Sequence, residues 1–349
     1  MTAVAFVAMV VAIHGLPLRA AQGGSAALLS QLVWFDRAGK PLDTIGPVAN
    51  HGNIELSPDG KQVAVAVLDT SEGTRDIWLY DVNSGGRRRL TATDGDENWA
   101  IWSRDGRRVV FNSTRNGRLD LFQSALAAGS VPEMLLRDGM WPVSWAPDGR
   151  HILIVTNSTL TSNDVMVLPL FGDRQPFPFA HTQTAENWAA FSPNGKWVAF
   201  SSAESGQAEV YVAPFPPSTA GLAGKRQVSP DGGSQARWGR DGKEIFFIAA
   251  DRSLMVTAVN SEGAGFEVGA MRRLFEPRFF FLDSHGFDVA PDGQRILVNT
   301  LIVSPRSPST VAFGGMSLRN YTRAAPLSRP EDRARRLVVR GTQSIRTVR

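Results

Sequence analysis

Ser57-Pro58-Asp59-Gly60-Lys61 is the first of six copies of one phrase, each set between two apolar runs. The others are Ser103-Arg104-Asp105-Gly106-Arg107, Ala146-Pro147-Asp148-Gly149-Arg150, Ser192-Pro193-Asn194-Gly195-Lys196, Gly239-Arg240-Asp241-Gly242-Lys243 and Ala290-Pro291-Asp292-Gly293-Gln294. Their first residues lie 46, 43, 46, 47 and 51 positions apart. Within the phrase, Pro presets φ for the first central position of a turn and Asp caps the turn with its side chain. Gly accepts the left-handed conformation that lets the next strand leave in register. The Asp residues are therefore turn formers rather than candidates for catalysis. A unit of about 40–50 residues with four strand-like segments is the pattern of a propeller blade. The fold class read from it is all-β, a six-bladed β-propeller of four-stranded blades.

The second repeat shows the scheme in detail. Asn98–Trp102 alternates with period two and reads as the inner strand, Arg104-Asp105-Gly106 as the tight turn, and Arg108–Phe111 as the second strand. Asn116-Gly117 marks the next turn, Leu119–Phe122 the third strand and Met134–Leu136 the short outer strand. Third strands are expected likewise at Asp76–Val82, Asp164–Leu170, Glu209–Phe215 and Leu254–Asn260. The sixth repeat lacks third and fourth strands after Arg295–Asn299. Leu32–Arg37 and Lys40–Ile45 supply them from the other end of the chain, so the N-terminal strands close the last blade. Closure removes the free sheet edges that invite aggregation. The propeller is placed at residues 31–303, between a signal or anchor remnant with linker (1–30) and an Arg-rich tail (304–349) expected to be disordered.

Of the 349 residues, 43% are apolar and 20% charged, and there is no cysteine, which excludes disulfides, thiolate nucleophiles and Cys-ligated zinc. The net charge of +4 divides unevenly. The tail carries ten Arg, no Lys and two acids, whereas residues 1–303 carry 27 basic and 31 acidic side chains. The folded body thus has no evident basic stripe for nucleic acid. The apolar run Ala3–Ile13 is too short to span a bilayer and suits the hydrophobic region of a signal peptide. The expected location is extracytoplasmic (periplasmic or secreted), with membrane contact only through that N-terminal segment if it is retained.

Trp188-Ala189-Ala190-Phe191-Ser192-Pro193-Asn194-Gly195-Lys196-Trp197-Val198-Ala199-Phe200 resembles the repeat unit of TolB-like six-bladed propellers almost position for position. More narrowly, Gln31–Lys40, Glu209–Pro216 and Gln227–Phe247 resemble the propeller that follows the kinase domain in many bacterial serine/threonine protein kinases. The resemblance covers roughly residues 15–303. It implies a non-catalytic binding or sensor module. The chain has no Gly-rich loop, His-Arg-Asp catalytic loop or Asp-Phe-Gly, so no kinase activity is carried here.

In propellers of this strand order, the loops from an outer strand to the next inner strand gather on one face around the central channel. Here they contain His51, Asn53, Glu97, Asn98, Trp141, Glu186, Asn187, Gln235, Arg237 and His285. Glu-Asn-Trp recurs at 97–99 and 186–188. Carboxylates, amides and imidazoles around a funnel could bind a protein, a peptide, a sugar or another small ligand, or a cation such as calcium. No other cofactor and no catalytic residue is expected. The bland alternative is that Asn and Glu cap strand ends while Trp99 and Trp188 pack between blades. Two other readings stand beside the binding module. One is a propeller lyase or hydrolase with a His/Glu site, drawing on His51, His181 and His285. The other is a scaffold using the rim, where Arg87-Arg88-Arg89 would form a solvated basic edge. Trp102, Trp145 and Trp238 share one repeat position with Phe191 and are assigned to the core between blades.

Overall fold

The computed structural model describes residues 28–127, 129–158, 161–217, 222–262, 265–279 and 285–302. The expected leader and the Arg-rich tail lie outside the described residues. The chain opens with β1 (Leu29–Asp36) and β2 (Pro41–Ala49). Blade 1 is β3 (His51–Leu56), β4 (Gln62–Leu68), β5 (Arg75–Asp81) and β6 (Arg87–Arg89). Blade 2 is β7 (Glu97–Trp102), β8 (Arg108–Ser113), β9 (Asp120–Ala125) and β10 (Glu133–Leu136). Blade 3 is β11 (Trp141–Trp145), β12 (His151–Ser158), β13 (Ser162–Pro169) and β14 (Phe177–Ala180). Blade 4 is β15 (Glu186–Phe191), β16 (Trp197–Ser202), β17 (Glu209–Pro214) and β18 (Arg226–Gln227). Blade 5 is β19 (Gly233–Trp238), β20 (Glu244–Ala249), β21 (Leu254–Asn260) and β22 (Glu267–Phe275), and the chain returns through β23 (Phe287–Val289) and β24 (Arg295–Ile302).

Each sheet is antiparallel and runs in chain order, except the last. Blade 6 has the order β2-β1-β24-β23, with β1 paired to β24 from Leu29↔Ile302 to Asp36↔Arg295. The N-terminal strands therefore close the ring, as the incomplete sixth repeat predicts. Inner strands β3, β7, β11, β15, β19 and β23 contact one another in sequence, and β23 contacts β3 again.

The core is divided by the blades. Apolar clusters fill the interfaces between blades 1 and 2, 2 and 3, 3 and 4, 4 and 5, 5 and 6, and 6 and 1. A central strand is consequently buried on both faces, and every residue of β16 is buried. This is why the second strands read as continuous apolar runs rather than alternating ones. Trp102, Trp145 and Trp238 lie in these interfaces, as assigned from their shared repeat position. Trp102 Nε1 donates to Glu55 O at 2.9 Å and Trp238 Nε1 to Ala190 O at 3.1 Å, each across a blade boundary.

The repeated turn has the expected mechanism. Gly60 has φ +69°, and the five equivalent glycines also lie between +67° and +73°. Ser57 Oγ donates to Asp59 Oδ1 at 2.6 Å, Lys61 N donates to the same oxygen at 3.0 Å, and Gly60 N closes the turn on Ser57 O at 2.8 Å. The serine hydroxyl, followed by backbone N–H, holds the carboxyls of Asp59 and Asp105 below the usual carboxylate range.

The proline of the phrase has a second role beyond the turn. A Cβ added to Gly60 would sit 2.7 Å from Pro291 of the preceding blade, and one on Gly195 would sit 3.3 Å from Pro147. Gly149 and Gly293 follow the two blades in which Arg104 and Arg240 replace that proline, and nothing lies within 4 Å of their Cβ positions. Both Gly60→Ala and Gly149→Ala strain the backbone, by about 1–2 kcal/mol. Gly60→Ala should cost roughly another 1–2 kcal/mol through overpacking. Urea denaturation of the two variants checks this, and equal losses would contradict the proline contact.

Candidate functional site

The inner strands are sheet edges, so one side of each carries backbone groups without a strand partner. Side chains of the preceding blade satisfy several of them. Trp99 N donates to Asn53 Oδ1 at 2.7 Å, Leu56 N to Asp288 Oδ2 at 2.7 Å, and Phe191 N to Ser144 Oγ at 3.0 Å. Gly286 N donates to Gln235 Oε1 at 3.4 Å. Asn299 Nδ2 adds bonds to His51 O at 3.1 Å and Gly52 O at 2.9 Å across the blade 6–blade 1 boundary.

The inner strands also carry a repeated bulge. Register shifts fall between Asn98 and Ile101, Asn187 and Ala190, and Ser234 and Arg237. The residue after the first of each pair is left-handed: Trp99 and Trp188 at φ 55° and Gln235 at φ 56°. A non-glycine residue held there costs about 1–2 kcal/mol, and bulges re-aim side chains. Here they bring the indoles together. Trp99 and Trp188 stand 5.6 Å apart between ring centroids, and His285 lies 5.7 Å from the first and 5.1 Å from the second. Trp141 adds a fourth ring at 6.3 Å from Trp99. Blades 2, 4 and 6 are not neighbours in the ring, so the contacts among Trp99, Trp188 and His285 cross the channel axis. This corrects the alternative that Trp99 and Trp188 merely pack between adjacent blades. The three indoles are half-buried, whereas His285 is 2% exposed. Burial, and then the charge of Arg237, push His285 well below the ordinary histidine range.

The ten residues assigned to the funnel separate into three groups. Trp141, Asn98, Asn187, Gln235, Asn53 and His285 belong to or flank the aromatic cap; Asn187 Oδ1 accepts from Asn163 Nδ2 at 2.8 Å. Glu97, Glu186 and His51 do not converge on the channel. Glu97 is fully buried and accepts from Thr93, from Ser113 Oγ at 2.7 Å and from Arg115 Nη2 at 3.2 Å, all within its own repeat. Glu186 accepts from Thr182, from Thr184 Oγ1 at 3.2 Å and from Ser202 Oγ at 3.3 Å. The hydroxyl four residues upstream bonds to each carboxylate. His51 is buried between blades 6 and 1, with Nδ1 3.1 Å from Ser30 Oγ and Nε2 3.4 Å from Tyr80 OH.

Arg237 forms the third group by itself. It lies at the opposite end of the channel, among the Asp-Gly turns, where Arg237 Nη1 meets Glu55 Oε2 at 2.6 Å. Blades 5 and 1 flank blade 6, so this ion pair also crosses the axis. The sequence reading missed Glu55 and Asp288 there. They occupy the Arg237 position of their own repeats, two residues before Ser57 and Ala290, and that shared offset was the available signal.

The three histidines of the lyase reading are not assembled. His181 pairs with Asp164 Oδ1 at 3.0 Å, His51 is in the core and His285 is in the cap. Among the described residues, no three His, Asp or Glu side chains are placed to hold a metal ion. The Arg87–Arg89 run is the outer strand β6, as expected for a rim, with Arg89 tied to Asp76 and Glu72.

Residues 49–176 match the family of the TolB beta propeller domain. The fold is that of a TolB-like propeller. A protein of Agrobacterium tumefaciens described as TolB superposes with a TM-score of 0.61 over 80% of this chain and 100% of that one, at 14% identity, a likeness of fold alone. The Tol-Pal system protein TolB of Wolinella succinogenes is 25% identical over 117 residues, which are 34% of this chain and 27% of that protein. Dipeptidyl-peptidase 5 of Porphyromonas gingivalis is 34% identical over 70 residues, 19% of this chain and 10% of that protein. The matched segments therefore span about a tenth to about a quarter of these curated relatives.

Burial pushes the His51 imidazole down to about 4. Between about pH 6.5 and pH 4 the unfolded chain binds a proton there that the folded chain refuses. Stability from this group is therefore full above pH 6.5 and falls by up to about 3 kcal/mol as pH drops through that window. The difference in melting temperature between wild type and His51→Gln should narrow from pH 7 to pH 4.5. A difference that stays constant with pH would show that His51 titrates normally.

Proposed function

We propose that this propeller is a non-catalytic binding or sensor module acting outside the cytoplasm, and that it engages a protein or peptide partner at the aromatic mouth of its channel. The observation that carries this reading is the cluster of Trp99, Trp141 and Trp188 at the channel mouth, two of them held there on left-handed bulges. Backbone strain retained at a cap of half-exposed rings is a sign of a working surface. Trp supplies large contact area at small entropic cost and dominates the energetics of protein interfaces. Asn98 and Asn187 flank the rings and offer amide groups to a peptide backbone. The apolar run Ala3–Ile13 and the TolB-type resemblance support export, and the resemblance to kinase-linked propellers supports a sensor role.

A peptide library displayed on phage, panned against the full chain, tests this directly. Enriched peptides should bind wild type and lose at least about tenfold in affinity to Trp141→Ala, as a central aromatic anchor does. Arg88→Ala on the rim should leave affinity unchanged. Enriched peptides that are indifferent to Trp141→Ala but weakened by Arg88→Ala would replace the mouth with the rim as the working surface.

A further inference from the structure

The far end of the channel holds a cavity of about 110 Å³, lined by Glu55, Trp102, Trp145, Arg237, Trp238 and Asp288 among others. Arg104 and Arg240 also stand at its edge, in the two repeats that carry Arg where the phrase has Pro. Arg237 is only 7% exposed, yet its Nε and Nη2 have no hydrogen-bond partner among the described residues. Leaving such donors unmet in a buried guanidinium is costly.

We propose that this cavity is a binding site for a carboxylate ligand with an apolar body, drawn by the guanidinium groups of Arg104, Arg237 and Arg240. The charge balance favours an anion: Arg104, Arg237 and Arg240 outnumber Glu55 and Asp288. The indoles of Trp102, Trp145 and Trp238 supply the apolar wall. The volume exceeds the roughly 10–15 Å³ that one water needs several times over, so a carboxylate head and part of its body can enter. Pro58, Trp102 and Arg104 continue into an adjoining groove of about 420 Å³, which gives a longer ligand a way out.

Glu55 makes the site sensitive to pH. Burial, opposed by Arg237 and reinforced by Asp288, pushes its carboxyl up to about 7. The charged groups around it are Arg237 from β19, Asp288 from β23, Arg240 from the turn after β19 and Arg104 from the turn after β7, while β11 and β15 present Ser144 and Ala190. Below pH 7, neutral Glu55 leaves the charge of Arg237 uncompensated, and an incoming carboxylate takes its place as counter-charge.

Isothermal titration of the full chain at pH 6 and pH 8 with sodium benzoate, a phenylalanine-ended tripeptide and the C-terminal amide of that tripeptide tests the site. Benzoate or the acid-ended tripeptide, or both, should bind, up to about tenfold more tightly at pH 6. Which of them binds tells a small acid from a peptide C-terminus, and the amide should not bind. Glu55→Gln should bind equally at both pH values, and Arg104→Ala should weaken binding severalfold without unfolding the protein. The double variant Arg237→Met/Glu55→Gln, which removes both buried charges together, should lose binding. Absence of binding by every probe, equal binding of the amide, or an unchanged pH dependence in Glu55→Gln would overturn the proposal.

Discussion

Each blade ends at the channel in an edge strand whose free N–H and C=O groups have no partner in their own sheet, and the ring is organised by the need to satisfy them. Side chains of neighbouring blades do much of this: Asn53, Ser144, Gln235 and Asp288 accept from the next inner strand, while Trp102 and Trp238 donate to the one before. The same neighbours bury the apolar faces, because each core cluster is shared by two blades. A single blade has neither half of this arrangement, which is why pairing of β1 with β24 matters to all six. It supplies blade 6 with its outer half and leaves no blade without two neighbours.

From that constraint follows the asymmetry of the channel. On one face, bulges turn Trp99 and Trp188 toward the axis, where they meet His285 and shut that end with aromatic rings. On the other, the prolines that pack under neighbouring glycines give way to arginine at 104 and 240, and a polar cavity opens beside Arg237. One face therefore offers rings and amides, the other guanidinium groups and a carboxyl with a raised proton affinity.

The fold was legible because the turn is a local device: Pro, Asp and Gly specify it within a few residues, and six copies fix the number of blades. Third strands at Asp76, Asp164, Glu209 and Leu254 begin within two residues of their expected starts. The assignment of Leu32–Arg37 to the last blade held because the missing strands had only one other source. The site was less legible for two physical reasons. A bulge sets two residues opposite one, so alternation cannot be carried from Asn98 to Ile101, nor from Ser234 to Arg237. Hydroxyls also compete for carboxylates: Thr93 and Thr182 turn Glu97 and Glu186 into their own blades, although the Glu-Asn-Trp recurrence suggests a shared ligand. Trp141 has no equivalent tryptophan in the other repeats, and its ring joins the cap 6.3 Å from that of Trp99.

The central claim is that the aromatic end of the channel is closed by His285 packed against Trp99 and Trp188. An NMR titration of the His285 imidazole in the full chain tests it most directly. A ring so packed keeps its proton off until well below the ordinary histidine value of about 6.5, and the account predicts that midpoint shift together with through-space contacts to both indoles. A midpoint near 6.5 without those contacts would mean a solvated ring and an open channel, contrary to the account.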